Sequence, residues 1–136
     1  MPGKTKKRGP GTAPIAQSAR RRAWRSGRRA EWWALLWLRL RGYRLLRHGY
    51  RCAQGEVDLI LRRGGLLAFV EVKRRATLSA AAEAIRPAQQ RRIAAAAAHF
   101  LQRHERYASF ALRYDALLLA PGRLPCHITG AWRDSK

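Results

Sequence analysis

From Arg28 onward apolar positions recur at helical spacing. At about 100° per residue, Trp32, Trp33, Leu36, Trp37 and Leu40 form one stripe, and Ala34, Leu35 and Leu38 form a second that also carries Glu31. The helical pattern starts near Gln17, is weakened at Ser26-Gly27 and ends at Gly42. A helix apolar on two sides packs one of them on a sheet and leaves the other for a partner chain or a folded-back arm. Alternation then takes over. Tyr43 to Arg51 reads as a strand, and Glu56–Arg62 and Leu66–Lys73 read as a β-hairpin around Gly64-Gly65. An alanine-rich helix follows from Ala80 to about Glu105, with Pro87 splitting it or opening its second segment near Ala88. Phe110–Leu119 and, after the Pro121-Gly122 turn, Cys126–Trp132 complete the order. This predicts a small α/β domain built on a mixed β-sheet flanked by α-helices.

The hairpin places chemistry. If Gly64-Gly65 is a two-residue turn, Arg63 opposes Leu66, Asp58 opposes Glu71 and Glu56 opposes Lys73. Directly opposed residues share a face with Cβ atoms about 5 Å apart. Three carboxylates and one ammonium then gather on a patch shared with Ile60, Leu67 and Phe69. The reverse face, with Val57, Leu59, Leu61, Ala68, Val70 and Val72, is wholly apolar and reads as core. Two carboxylates so close repel unless a cation lies between them, and magnesium or manganese, which prefers oxygen ligands, meets that need. A neighbouring ammonium can orient an attacking water or stabilise charge developing on a phosphate. The same spacing also fits a cross-strand ion-pair network on a solvated face; both readings stay open at this level.

Charge narrows the partner. The 136 residues hold 29 Lys and Arg against 8 Asp and Glu, a formal net charge of +21. Ten of the basic residues lie in the first 29, a Gly-, Pro- and Lys-rich stretch without acids that reads as a flexible arm over 1–26, with the folded domain over 27–136. Residues 30–136 alone still carry 19 basic and 8 acidic groups, so the domain itself is basic and nucleic acid is the favoured partner. The apolar run from Trp32 to Leu38 is far shorter than the roughly 20 residues of a membrane span. No secretory signal pattern is present either, and the expected location is cytoplasmic. Cys52 and Cys126 fit neither a disulfide framework nor a zinc motif.

Four segments in this order carry a resemblance: Gly27-Arg-Arg-Ala-Glu31 with Ala34, Leu38 and Gly42-Tyr43; Gly55-Glu-Val-Asp-Leu-Ile60; Phe69-Val-Glu-Val-Lys-Arg74; and Arg113-Tyr-Asp115. Together they resemble the YraN-like family of small bacterial proteins, itself similar to Holliday-junction resolvases of the restriction-endonuclease-like (PD-(D/E)XK) nuclease superfamily. The resemblance covers roughly residues 27–120. It implies a metal-dependent endonuclease with Asp58 and Glu71 as metal-binding carboxylates, the Val72 carbonyl assisting, Lys73 as the catalytic lysine and Glu31 as the helix carboxylate that completes such sites. It also implies that the Ala34–Leu38 stripe faces the sheet. The chain departs from the pattern in having no proline before Asp58. Gln89 or Gln90 stands where relatives often carry Lys or Gln.

Other features rank lower. Glu56 and Asp115 read as structural partners of basic groups, Lys73 or an arginine for Glu56 and an arginine for Asp115. His48, His99, His104 and His127 form no ligand pair, and no hydroxyl nucleophile sits in a triad motif. The Trp stripe reads as core before it reads as a base-stacking platform. Arg74, Arg75, Arg91 and Arg92 flank the hairpin patch and are the expected phosphate contacts. The expectation is a magnesium- or manganese-dependent endonuclease acting on DNA, with branched or structured DNA favoured, and a homodimer suits a symmetric junction. The alternatives are a non-catalytic nucleic-acid-binding module of the same fold, and a membrane-surface or protein-interaction role carried by the arm and the Trp helix.

Overall fold

The computed structural model describes residues 29–133. The arm expected over 1–26 and the helix start near Gln17 lie outside them. Of the described residues, 29–33 fall in one unit and those from Ala34 on in another. Helix α1 occupies 29–40 of the described residues. Glu31 is half-buried, Ala34 and Leu38 are fully buried, and Trp32 and Trp33 are 73% and 66% exposed. The Ala34–Leu38 row is thus the inward one, as expected, whereas the Trp residues are not core. A row led by alanine admits close backbone approach; two indoles on that row would hold the helix away.

Five strands follow the expected order: β1 (Arg44–Cys52), β2 (Gly55–Arg63), β3 (Leu66–Arg74), β4 (Ala111–Leu119) and β5 (Cys126–Trp132). They lie side by side in that sequence, all neighbours antiparallel except β3 and β4, which are parallel. A parallel pair requires a crossover. Helices α2 (Leu78–Glu83) and α3 (Pro87–Arg103) supply it. Pro87 sits in the first turn of α3, where its missing N–H costs nothing. Thr77 caps α2 by accepting from the Ala80 amide at 3.1 Å.

Helix α3 buries Ile93, Ala96, Ala97 and Phe100, the spacing of a single helical face. This face meets Ile60, Leu67, Phe69 and Tyr114. Helix α2 seats Ala81 on Ala116 and Leu118 of the same sheet face. Glu71 is paired with Ala116 and Lys73 with Leu118, so these two residues of β3 belong to the helix-covered face, at the end nearest α2 and the start of α3.

The β2–β3 register matches the two-residue turn, running from Arg63↔Leu66 to Leu59↔Val70. One expectation about faces fails. Val57 packs with Ile60 in the α3-side cluster, not on the reverse face. Residues three apart on a strand face opposite ways when alternation is regular. The alternation therefore resets at Asp58–Leu59.

Gly55 explains how closely α3 docks. A Cβ built there would lie 1.9 Å from the carbonyl oxygen of Arg92, backbone against backbone, with no flexible atom to yield. Gly55→Ala is therefore expected to cost about 2–3 kcal/mol, read as a lowered urea midpoint at unchanged m-value. A wild-type midpoint would mean that α3 does not sit this close.

Candidate active site on the helical face

Three elements meet at the site. Strand β3 carries Glu71 and Lys73 two residues apart and so on one face, with Nζ of Lys73 3.1 Å from Oε2 of Glu71. Strand β2 brings Asp58, whose Oδ2 accepts from the Val72 amide at 2.8 Å. The first turn of α3 brings Gln89, whose side-chain Nε2 donates to Oε2 of Glu71. Glu71 is 4% exposed. Burial, and then the neighbouring Asp58 charge, push its carboxyl up to about 7, against the opposing pull of Lys73. Asp58 and Glu71 are thus near enough for their charges to repel.

Such a donor set suits a hard divalent cation, which relieves the repulsion while accepting oxygen ligands. Among the described residues, no group of three or more His, Cys, Asp or Glu side chains gathers as a ready metal cluster. A cation here would rest on the two carboxylates and backbone oxygen, with water filling its other positions.

Glu56 does not join them. Its Oε1 lies 3.3 Å from Nε of Arg51, with both side chains largely in solvent. The three-carboxylate patch is therefore corrected to two, because the regular pairing that would set Glu56 against Lys73 ends at Leu59↔Val70. An arginine partner for Glu56 was among the expectations. Asp115 likewise pairs with an arginine, Arg113, as expected, on the opposite sheet face. His127 and the Gly130 amide also donate to it. The sequence had no signal for His127, which arrives from β5. Glu31 lies in the unit that ends at Trp33.

Arg74 and Arg75 follow Lys73 directly along the chain, and Arg91 and Arg92 follow Gln89 by less than one helical turn; all four are exposed. Each pair is thus tied to a site residue through its own element. No described helix is long and apolar enough to cross a membrane.

The raised Glu71 carboxyl has a stability consequence. Between about 4.5 and about 7 the folded protein holds a proton that the unfolded chain releases. This group's contribution is therefore full below its unfolded value and lost as pH rises through about 7. Metal-free protein is expected to lose stability, of order 2 kcal/mol, across that window, and Glu71→Gln to flatten the slope. Urea midpoints against pH measure this; equal slopes in both proteins would contradict it.

Residues 30–119 match the model of the uncharacterised protein family UPF0102. The chain is 52% identical over 119 residues to the UPF0102 protein of Paramagnetospirillum magneticum, covering 85% of this chain and 92% of that protein. It is 50% identical over 111 residues to one from Parvibaculum lavamentivorans, covering 82% and 84%. A Bradyrhizobium diazoefficiens relative is 46% identical over 121 residues, covering 89% and 91%. With its central helix, all of β1 to β4 and both carboxylates of the site inside the matched span, the chain belongs to the UPF0102 family, the YraN-like proteins its motifs resemble.

Proposed function

We propose that this protein is a resolvase-like endonuclease of the restriction-endonuclease-like kind, hydrolysing phosphodiester bonds of DNA, branched or otherwise structured DNA in particular, with magnesium or manganese. The observation that carries the reading is the convergence of Asp58, Glu71 and Lys73 on one buried-to-solvent margin of the sheet.

When bound, the cation polarises the scissile phosphate and acidifies a water molecule. Asp58, Glu71 and the Val72 carbonyl would hold it. Lys73, positioned by its contact with Glu71, orients the attacking water and stabilises negative charge as it develops on the phosphate. Arg74, Arg75, Arg91 and Arg92 contact flanking phosphates and make binding steeply salt-dependent. Cutting both strands of a symmetric junction requires two sites, and hence two copies of the chain.

The test is incubation of purified full-length protein with four-way-junction, nicked and linear duplex DNA, with manganese, with magnesium and with EDTA. Metal-dependent cleavage supports the reading. Salt-sensitive DNA binding without cleavage or manganese uptake would favour the second reading, a non-catalytic nucleic-acid-binding module, which the basic surface supports equally well.

A further inference from the structure

We infer that Gly49, on the strand next to Asp58, is a positioning residue of the site: its left-handed backbone turns the Asp58 carboxylate out of regular alternation and onto the Val72 amide. As a statement about a metal-holding carboxylate, this rests on the proposed function.

The observations come from two strands at once. In the β1–β2 register His48 faces Leu59 and Tyr50 faces Val57, which sets Gly49 opposite Asp58. Gly49 has φ +69°, inside the region that a side chain with a Cβ adopts at a cost, and a β-branched one most of all. Both strands lose alternation at this point. On β2, Gly55 approaches α3 and Val57 packs under it, and so does Ile60, three residues beyond Val57. On β1, Tyr50 packs in the same cluster and pairs with Val57, while Arg47, three residues away and just past the register shift between Leu45 and Arg47, pairs with Ile60. No residue is added to either strand between His48↔Leu59 and Tyr50↔Val57, so the change of face at Gly49 and Asp58 is made by backbone conformation alone.

Here the re-aimed side chain is Asp58. In a regular strand it would share the face of Ile60 and project from the sheet. Instead its Oδ2 takes the Val72 N–H at 2.8 Å, one residue from Glu71 and one from Lys73. Flattening β1 at Gly49 would restore alternation in its partner and withdraw the carboxylate from that amide. Sterics offer no competing explanation, since a Cβ at Gly49 would meet nothing within 4 Å. Substitution there tests backbone conformation alone.

The Val72 amide is the reporter. Its hydrogen-exchange protection is measured by NMR in full-length wild type, Gly49→Asn, Gly49→Val and Asp58→Asn, beside the amide of Phe100 as a control for the folded core. Asparagine tolerates the left-handed region and valine does not. Wild type and Gly49→Asn are expected to protect Val72 alike. Gly49→Val is expected to lose protection at least tenfold, to the level of Asp58→Asn, with Phe100 unchanged. Should Gly49→Val fail to fold, Gly49→Ala takes its place with the same expectation. Val72 protection retained in the valine or alanine variant, or lost in the asparagine variant, overturns the inference. Manganese titration of the same four proteins separates the two claims. If wild type takes up no manganese while Val72 responds as expected, the nuclease reading fails and the role of Gly49 in placing Asp58 stands.

Discussion

Lys73→Ala is expected to slow manganese-dependent DNA cleavage by about 10²–10³-fold while leaving manganese affinity at or above that of wild type. The ammonium touches the same Glu71 oxygen that would ligate a cation, at 3.1 Å. Its removal deprives the developing phosphate charge of a partner and frees that oxygen. Asp58→Asn behaves differently. It keeps side-chain size but removes one of the two charges that hold the cation, so both manganese binding and cleavage should fall, cleavage by at least as much as in Lys73→Ala. Calorimetric titration with manganese and single-turnover cleavage on the same preparations separate the two effects. Wild-type rates in both variants would remove the site assignment. Loss of metal binding in Lys73→Ala would mean that the lysine acts by arranging the carboxylates and not on the phosphate.

The largest stability effect is expected on the other face of the sheet. Asp115 is 0% exposed. It accepts from Nε and Nη2 of Arg113, both at 2.8 Å, from Nε2 of His127 at 2.8 Å and from the Gly130 amide at 3.0 Å. Burial alone would raise its carboxyl, but hydrogen bonds from His127, Arg113 and Gly130 outweigh it and hold the group below the usual carboxylate range. Arg113 also donates to the Tyr43 hydroxyl at 2.7 Å, which ties the chain just after α1 into the network. Asp115→Ala leaves a guanidinium, an imidazole and an amide without their acceptor and should cost about 3–5 kcal/mol. Because the folded carboxyl is depressed, its stabilisation is present at neutral pH and lost on acidification below the unfolded value. The deficit of the variant should therefore shrink in acid. Urea unfolding at neutral and acidic pH measures both, and a cost under about 1 kcal/mol would make the network a surface-like ion pair. Replacing Arg113, Asp115 and His127 together by apolar residues should cost less than Asp115→Ala alone, since no charge is then left without a partner.

The two clusters show where one-dimensional reading reaches. Asp58, Glu71 and Lys73 are legible as neighbours because all three lie on strands joined by a short turn, where spacing along the chain fixes spacing in space. The pairing of Asp115 with Arg113 is legible for a similar reason, since the two lie two residues apart on one strand. Gln89 carries no such signal beyond its position in the chain. Its bond to Glu71 spans 18 residues and a crossover, and its geometry depends on how closely Gly55 lets α3 approach. Counting sets Glu56 against Lys73 only by assuming regular alternation through Asp58; the arginine, its other expected partner, is the one that holds it.

The order of strands and helices and the hairpin register follow from the amino-acid sequence alone, because each depends on a local period or a turn whose length can be counted; the period of α1 left either row free to face inward, and only the family resemblance singled out Ala34–Leu38. Three matters were decided only by packing in three dimensions: which aromatic residues stay in solvent, which side chains cross from distant segments into the two charged clusters, and which way Asp58 points. The first two depend on contacts between segments far apart in the chain. The third depends on a single backbone dihedral at Gly49, which glycine permits but does not dictate.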